Sequence, residues 1–135
     1  MNKKIIIGLA ILCYIQAKSQ TPKSVYAELV KQEVKHPEIV LAQSILETGW
    51  YKCDNCSLDK NNMFGLWNHK KQEYYYYSNW KSSIGGYKRG VQYKYFKKQY
   101  KDYYHFLNDT GYATDPQYTI KLKKIVKRLK DEKIY

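Results

Sequence analysis

With 135 residues, 44% of them hydrophobic and 16% aromatic, the chain has the length and apolar content of one folded domain. It is too short for two comfortable domains and too apolar for a disordered chain. Its 24 Lys and Arg against 12 Asp and Glu give a formal net charge of +12, an excess that suits polyanionic surroundings such as cell-wall polymers or anionic surfaces. No nucleic-acid reader motif accompanies that charge, so no nucleic-acid partner is expected.

Residues 1–19 read as an export signal. Lys3 and Lys4 precede an apolar stretch from Ile5 to Ile15, and Ala17 and Ser19 are the small residues a signal peptidase inspects. The apolar stretch falls short of the ~20 residues a membrane-spanning helix needs. We expect a signal peptide over 1–19, cleavage before Gln20 and one domain over 20–135. The protein would be exported, to the periplasm or the medium, with no stable membrane insertion after signal removal. An uncleaved anchor is the alternative. Lipid attachment at Cys13 is disfavoured by Leu12, where a small residue is wanted.

Thr21-Pro22 predicts a capped helix start, and Val25, Leu29 and Val30 carry that helix to about Lys35. His36-Pro37-Glu38 predicts a second start by the same chemistry. Ile39, Val40, Leu41, Ala42, Ile45 and Leu46 then make this helix apolar on nearly every side, which predicts burial, and Gly49 is a natural stop. Glu47 sits in its last turn. A helix C-terminus carries partial negative charge, and Leu46 and Trp50 would remove water, so both effects favour the protonated acid. Glu47 is therefore a candidate general acid, weighed against an ordinary helix-end residue.

Residues 51–80 read as loop, with a short strand or hairpin predicted in QEYYYYSNW. Cys53 and Cys56 predict a local disulfide in an oxidising compartment. Zinc would need two more ligands, and His36, His69 and His105 have no metal spacing. No metal or other cofactor is expected. From Ser82 a helical pattern returns through Ile84, Tyr87, Val91 and Tyr95 to Tyr103, Phe106 and Leu107, weakened by Gly85, Gly86 and Gly90 and ended by Asp109-Thr110-Gly111. Asp115-Pro116 predicts the start of a last helix on Tyr118, Leu122, Ile125, Val126 and Leu129. Its lysines read as the solvated face of a packed helix, with a membrane-surface helix as the alternative.

The stretches VLAQSILETGW, NNMFGLWN and GYATDPQYTIKL occur in that order. Together they resemble the glucosaminidase family of peptidoglycan hydrolases, glycoside hydrolase family 73, over residues 25–128. The resemblance implies a mainly α, lysozyme-like domain with a short β-containing lobe and a glycan groove between lobes. It implies cleavage of the β-1,4 bond after N-acetylglucosamine in peptidoglycan strands, by a monomer. Glu47 matches the family's catalytic acid. Tyr112 and Tyr118 match the tyrosines of its YATDPxY motif, one of which lines the groove near that acid, and Tyr112 is the catalytic candidate of the two. Substrate contacts are expected from Trp50, Asn62, Phe64, Trp67, Asp115 and Tyr118, with further stacking faces from Tyr74 to Tyr77 and Trp80.

One departure stands out. Many members carry a second acid thirty to forty residues after the first, and here residues 77–87 contain none. Glu73 is the only acid between Asp59 and Asp102. The substrate's own 2-acetamido group is then the alternative nucleophile. Two rival readings remain: a lytic transglycosylase or muramidase, against which Thr48 and NNMFG count, and a non-catalytic wall-binding module.

Overall fold

The computed structural model describes residues 20–135, and the expected signal peptide lies outside them. Helix α1 (Pro22–Lys31) begins on a reciprocal cap. Thr21 Oγ1 accepts from the Ser24 N–H at 3.1 Å and Ser24 Oγ accepts from the Thr21 N–H at 2.9 Å, so two otherwise orphaned donors are satisfied. The helix stops at Lys31, four residues before the predicted end. Glu33 turns left-handed (φ 56°), and the Val34 N–H reaches back to the Leu29 carbonyl at 3.0 Å. That closing turn satisfies the last carbonyls and puts Val34 in the core.

Helix α2 (Pro37–Thr48) is buried without interruption from Ile39 to Ile45, as its apolar run predicts, and packs against α1 and α5 (Tyr118–Asp131). Its start differs from expectation. His36 is left-handed (φ 53°) and makes no side-chain cap. Its ring instead lies 4.9 Å from the Tyr103 ring, with Nε2 3.3 Å from Tyr95 Oη. The aromatic cluster claims the imidazole that would otherwise turn back onto the helix.

At its other end α2 leaves through three consecutive left-handed residues, Gly49, Trp50 and Tyr51. Such backbone is costly for side chains larger than glycine, and local bonds hold it. Thr48 Oγ1 accepts from the Tyr51 N–H at 3.0 Å, and Tyr51 Oη lies 2.8 Å from Ser44 Oγ. Beyond the turn Cys53 and Cys56 are joined by a disulfide, and a 3-10 turn follows over Ser57–Lys60.

The strand expected in the tyrosine run is only Glu73–Tyr74 (β2), paired antiparallel with Trp67–Asn68 (β1), so that Trp67 faces Tyr74. The expected long helical pattern breaks into three elements. Helix α3 (Trp80–Gly90) is capped by Asn79, a 3-10 turn covers Gln92–Lys97, and α4 (Tyr103–Asp109) is capped by Asp102. Helix α5 starts two residues later than Pro116, because Asp115 accepts from the Gln117 N–H at 2.8 Å in a preceding turn. It buries Tyr118, Leu122 and Leu129, and its polar side carries the Lys127–Asp131 and Arg128–Glu132 pairs. Among the described residues no helix is long and apolar enough to cross a membrane. The result is a mainly α, lysozyme-like domain with one small hairpin.

Candidate active site

Helix α2 carries Glu47 from the core to the surface at the meeting point of two clefts. One, of about 630 Å³, lies under the hairpin and is lined by Gly65, Trp67, Tyr75, Tyr77, Arg89 and Lys94 among others. The second, of about 400 Å³, runs along the start of α5 past Thr114, Asp115, Tyr118 and Lys121. Glu47 and Tyr112 line both. A carboxylate at such a junction can reach a bond whose two sides occupy different clefts.

Burial raises the pKa of Glu47 above the ordinary value of 4.5, and a hydrogen bond from Tyr118 partly opposes that shift. Tyr118 Oη donates to Glu47 Oε1 at 3.3 Å. The helix C-terminus acts in the same direction as burial. The group is thus biased toward the acid form, while one oxygen is already solvated for the anion that proton loss would create.

The other oxygen, Oε2, faces a turn that the sequence places at NNMFG. Gly65 is left-handed (φ 62°), and a Cβ there would lie 2.8 Å from Glu47 Oε2. Two requirements, backbone hand and close approach, therefore meet on this one glycine. Asn62 and Phe64 hold the turn. Asn62 is fully buried; its amide donates to the carbonyls of Leu66 (2.8 Å) and Tyr75 (3.0 Å), and its Oδ1 accepts from the Leu66 N–H at 3.0 Å. The Phe64 ring is core, while its carbonyl accepts from Tyr112 Oη at 2.6 Å. Burial pushes the Tyr112 hydroxyl well above its usual pKa, so Tyr112 acts as a neutral donor pinning the turn.

The sequence candidates thus separate by position. Glu47, Phe64, Trp67 and Tyr112 meet at the larger cleft, and Asp115 and Tyr118 at the smaller. Trp50 lines neither: the Arg128 guanidinium sits 4.1 Å from its ring centre, which ties it to α5. Asn62 serves the turn from within. Trp80 lines a separate cleft with Tyr51, Asp54 and Asp59. Glu73 lies outside the clefts and pairs with Lys60 at 3.1 Å. Asp115, held by Lys121 at 2.6 Å, stays below the usual carboxylate range because of that bond. Sequence reasoning missed Gln43, Arg89 and Lys94. Gln43 had a signal, being polar inside an apolar run; the two cations had none.

The glucosaminidase family model, described as mannosyl-glycoprotein endo-beta-N-acetylglucosaminidase, matches residues 23–131. No curated protein matches the chain. The family match spans the helical frame, the glycine turn and both tyrosines beside the buried acid, and on it the chain belongs to the glucosaminidase family.

Proposed function

We propose that the protein is an exported endo-β-N-acetylglucosaminidase that cuts peptidoglycan strands, with Glu47 as general acid. The single observation carrying this reading is a half-buried carboxylate, raised in pKa, at the junction of two clefts in a chain of this family. The aromatic faces of Trp67, Tyr75 and Tyr77 suit sugar rings, which present apolar C–H faces. Arg89 and Lys94 suit the acidic groups of a wall polymer. Export follows from the pattern of residues 1–19 and from where such a substrate lies.

The nucleophile in this reading is the substrate's 2-acetamido oxygen. Glu73 lies outside the two clefts and pairs with Lys60, and Asp115 is engaged by Lys121, whose hydrogen bond favours its anion over a proton-accepting role. Glu47 passes its proton to the departing glycosidic oxygen as the bond to the anomeric carbon breaks and the acetamido oxygen bonds to that carbon. Water then opens the cyclic intermediate, giving its proton to the Glu47 carboxylate. Configuration is retained.

A cell-wall zymogram of wild type against Glu47→Gln tests the assignment. Wild type should clear the gel, and the variant should lose activity by about a hundredfold or more with its fold intact. New reducing-end N-acetylglucosamine is the expected product; anhydro-muramyl ends would identify a transglycosylase instead. An inverted anomer in fresh product would reject acetamido participation.

A further inference from the structure

Behind Glu47 the interior holds a continuous chain of hydrogen bonds. Gln92, in the 3-10 turn after α3, is buried and clasped on the backbone of Lys35. The Lys35 N–H donates to its Oε1 at 3.0 Å, and its Nε2 donates to the Lys35 carbonyl at 2.8 Å. The same Nε2 lies 3.1 Å from Tyr103 Oη, which lies 2.7 Å from Tyr87 Oη. Tyr87 Oη donates to Gln43 Oε1 at 2.6 Å, and Gln43 Nε2 donates to Tyr118 Oη at 3.4 Å. Tyr118 completes the chain at Glu47 Oε1. Five side chains from α2, α3, the 3-10 turn, α4 and α5 thus connect the acid to a loop at the start of its own helix.

A chain of hydroxyls and amides can run in two directions, and here only one is allowed. A backbone N–H can only donate, so the clasp fixes which end of the Gln92 amide is oxygen. Gln92 therefore offers Tyr103 a donor and no acceptor. Tyr103 must pass its own proton to Tyr87, and Tyr87 to Gln43 Oε1. That leaves the Gln43 amide donating to Tyr118, whose proton is then free for Glu47. In the reverse arrangement Tyr103 would aim a proton at an N–H. Among the described residues every buried side-chain polar atom has a hydrogen-bond partner, and this direction keeps each member of the chain partnered. Linked hydrogen bonds in a low-dielectric interior also polarise one another.

We propose that Gln92 is a positioning residue. Anchored on the Lys35 backbone, it sets the direction of a relay through Tyr103, Tyr87, Gln43 and Tyr118, so that the last proton points at Glu47 Oε1. The acid's own proton is thereby kept on Oε2, on the Gly65 side. The proposal rests on the reading of Glu47 as general acid. Its two longest links are those next to Glu47, and such contacts tighten when substrate excludes water.

Among the described residues Glu47 forms no ion pair; Tyr118 of α5 bonds it, Tyr112 faces it from the preceding loop, Lys121 is occupied by Asp115, and His69, Arg89 and Lys94 line the larger cleft with it. Losing the Tyr118 proton therefore raises its pKa, because the donor had favoured the anion.

The test is Gln92→Met, which removes the directing donor and permits both polarities. Glu47 is titrated by carboxyl ¹³C NMR in the absence of substrate, and kcat and KM are followed against pH. We expect the Glu47 midpoint and the alkaline limb of kcat to move up, kcat to fall roughly two- to tenfold, and KM to hold. In a Tyr118→Phe background the same substitution should move neither the titration nor kcat, whereas losses from simple destabilisation would add. If Gln92→Met does not fold, Tyr87→Phe, which frees the Gln43 amide to turn over, should give the same shifts.

An unmoved Glu47 midpoint in the folded variant overturns the relay, as does full additivity with Tyr118→Phe. A moved midpoint in a protein that leaves peptidoglycan uncut keeps the relay and rejects the glycosidase reading. Cutting by wild type with an unmoved midpoint does the reverse.

Discussion

The two walls that meet at Glu47 are built on opposite principles. The helical wall, α2 and α5 with α3 and α4 behind, buries its polar groups and partners each of them: Gln43, Tyr87, Tyr103 and Gln92 all lie in the interior within one hydrogen-bonded chain. The hairpin wall does the opposite. Trp67 and Tyr75 stay 40% and 46% exposed, and Tyr76 reaches 71%. Leaving such rings in water forgoes burial energy, so the wall is built for contact with something outside the chain. In the proposed function these walls divide the work: the helical one would govern the protonation of Glu47, and the hairpin one would present surface to a substrate. Glu47 and Gly65 are where they touch.

Changing Glu47 should produce the largest effect and tests the first wall beyond activity. A carboxyl whose folded pKa lies above its unfolded value prefers to hold its proton in the folded state. The associated stability is fully present below the ordinary value of 4.5 and is lost as pH rises through the folded pKa. Glu47→Gln keeps the neutral form at every pH. Inactive Glu47→Gln should therefore unfold at a higher temperature than wild type at neutral pH, and the gap should close below the ordinary carboxylate range. Equal melting at pH 7 would show that the site carries no such penalty.

Gly65→Ala attacks the junction itself. The left-handed backbone costs a non-glycine residue about 1 kcal/mol, and the new methyl group would press on Glu47 Oε2. We expect a lower melting temperature together with a loss of kcat of about tenfold or more, because a misplaced acid is a poorly aligned one. A stable and fully active alanine variant would mean that the two walls are not in contact in solution.

Trp67→Ala should touch only the second wall. With the ring 40% exposed, melting should change little. Loss of one stacking face is worth about 1 kcal/mol, so KM should rise several-fold with kcat nearly unchanged. A fall in kcat at constant KM would join the hairpin to the chemistry and erase the division.

The smallest effect is expected at Glu73. It is half-exposed and paired with Lys60 on the hairpin, and surface pairs of this kind contribute about 0–1 kcal/mol. Glu73→Gln should leave melting within about 0.5 kcal/mol and the rate within a few-fold. Collapse of activity would return a second carboxylate to the mechanism.

Much of this was legible in the residue order. The apolar run from Ile39 to Leu46 specified a buried helix with Glu47 at its end, because periodicity and burial are local consequences of side-chain type. Thr21 with Pro22, and Gly49, marked boundaries for the same reason. The motif order pointed to the family, and of its residues Glu47, Phe64, Trp67, Tyr112, Asp115 and Tyr118 line the two clefts while Trp50 and Asn62 do not. Where local signals failed, a tertiary contact had outbid them. His36 left its helix for the aromatic cluster, α1 stopped early once Val34 found the core, and Trp50 was taken by Arg128 from the far end of the chain.

The residue order alone carries the mainly α fold class and the placing of Glu47 at the end of a buried helix. Those depend on hydrophobic patterning and on a helix end, both of which short stretches encode. Which aromatic rings line a cleft and which are core is set by packing, since tyrosine suits either and the pattern of Tyr74 to Tyr77 does not distinguish them. Packing also brings together the groups that, in the proposed relay, direct the bonds reaching Glu47. That direction depends on Lys35, Gln43, Tyr87, Gln92, Tyr103 and Tyr118 meeting in space, and hydrogen-bond polarity has no period along a chain.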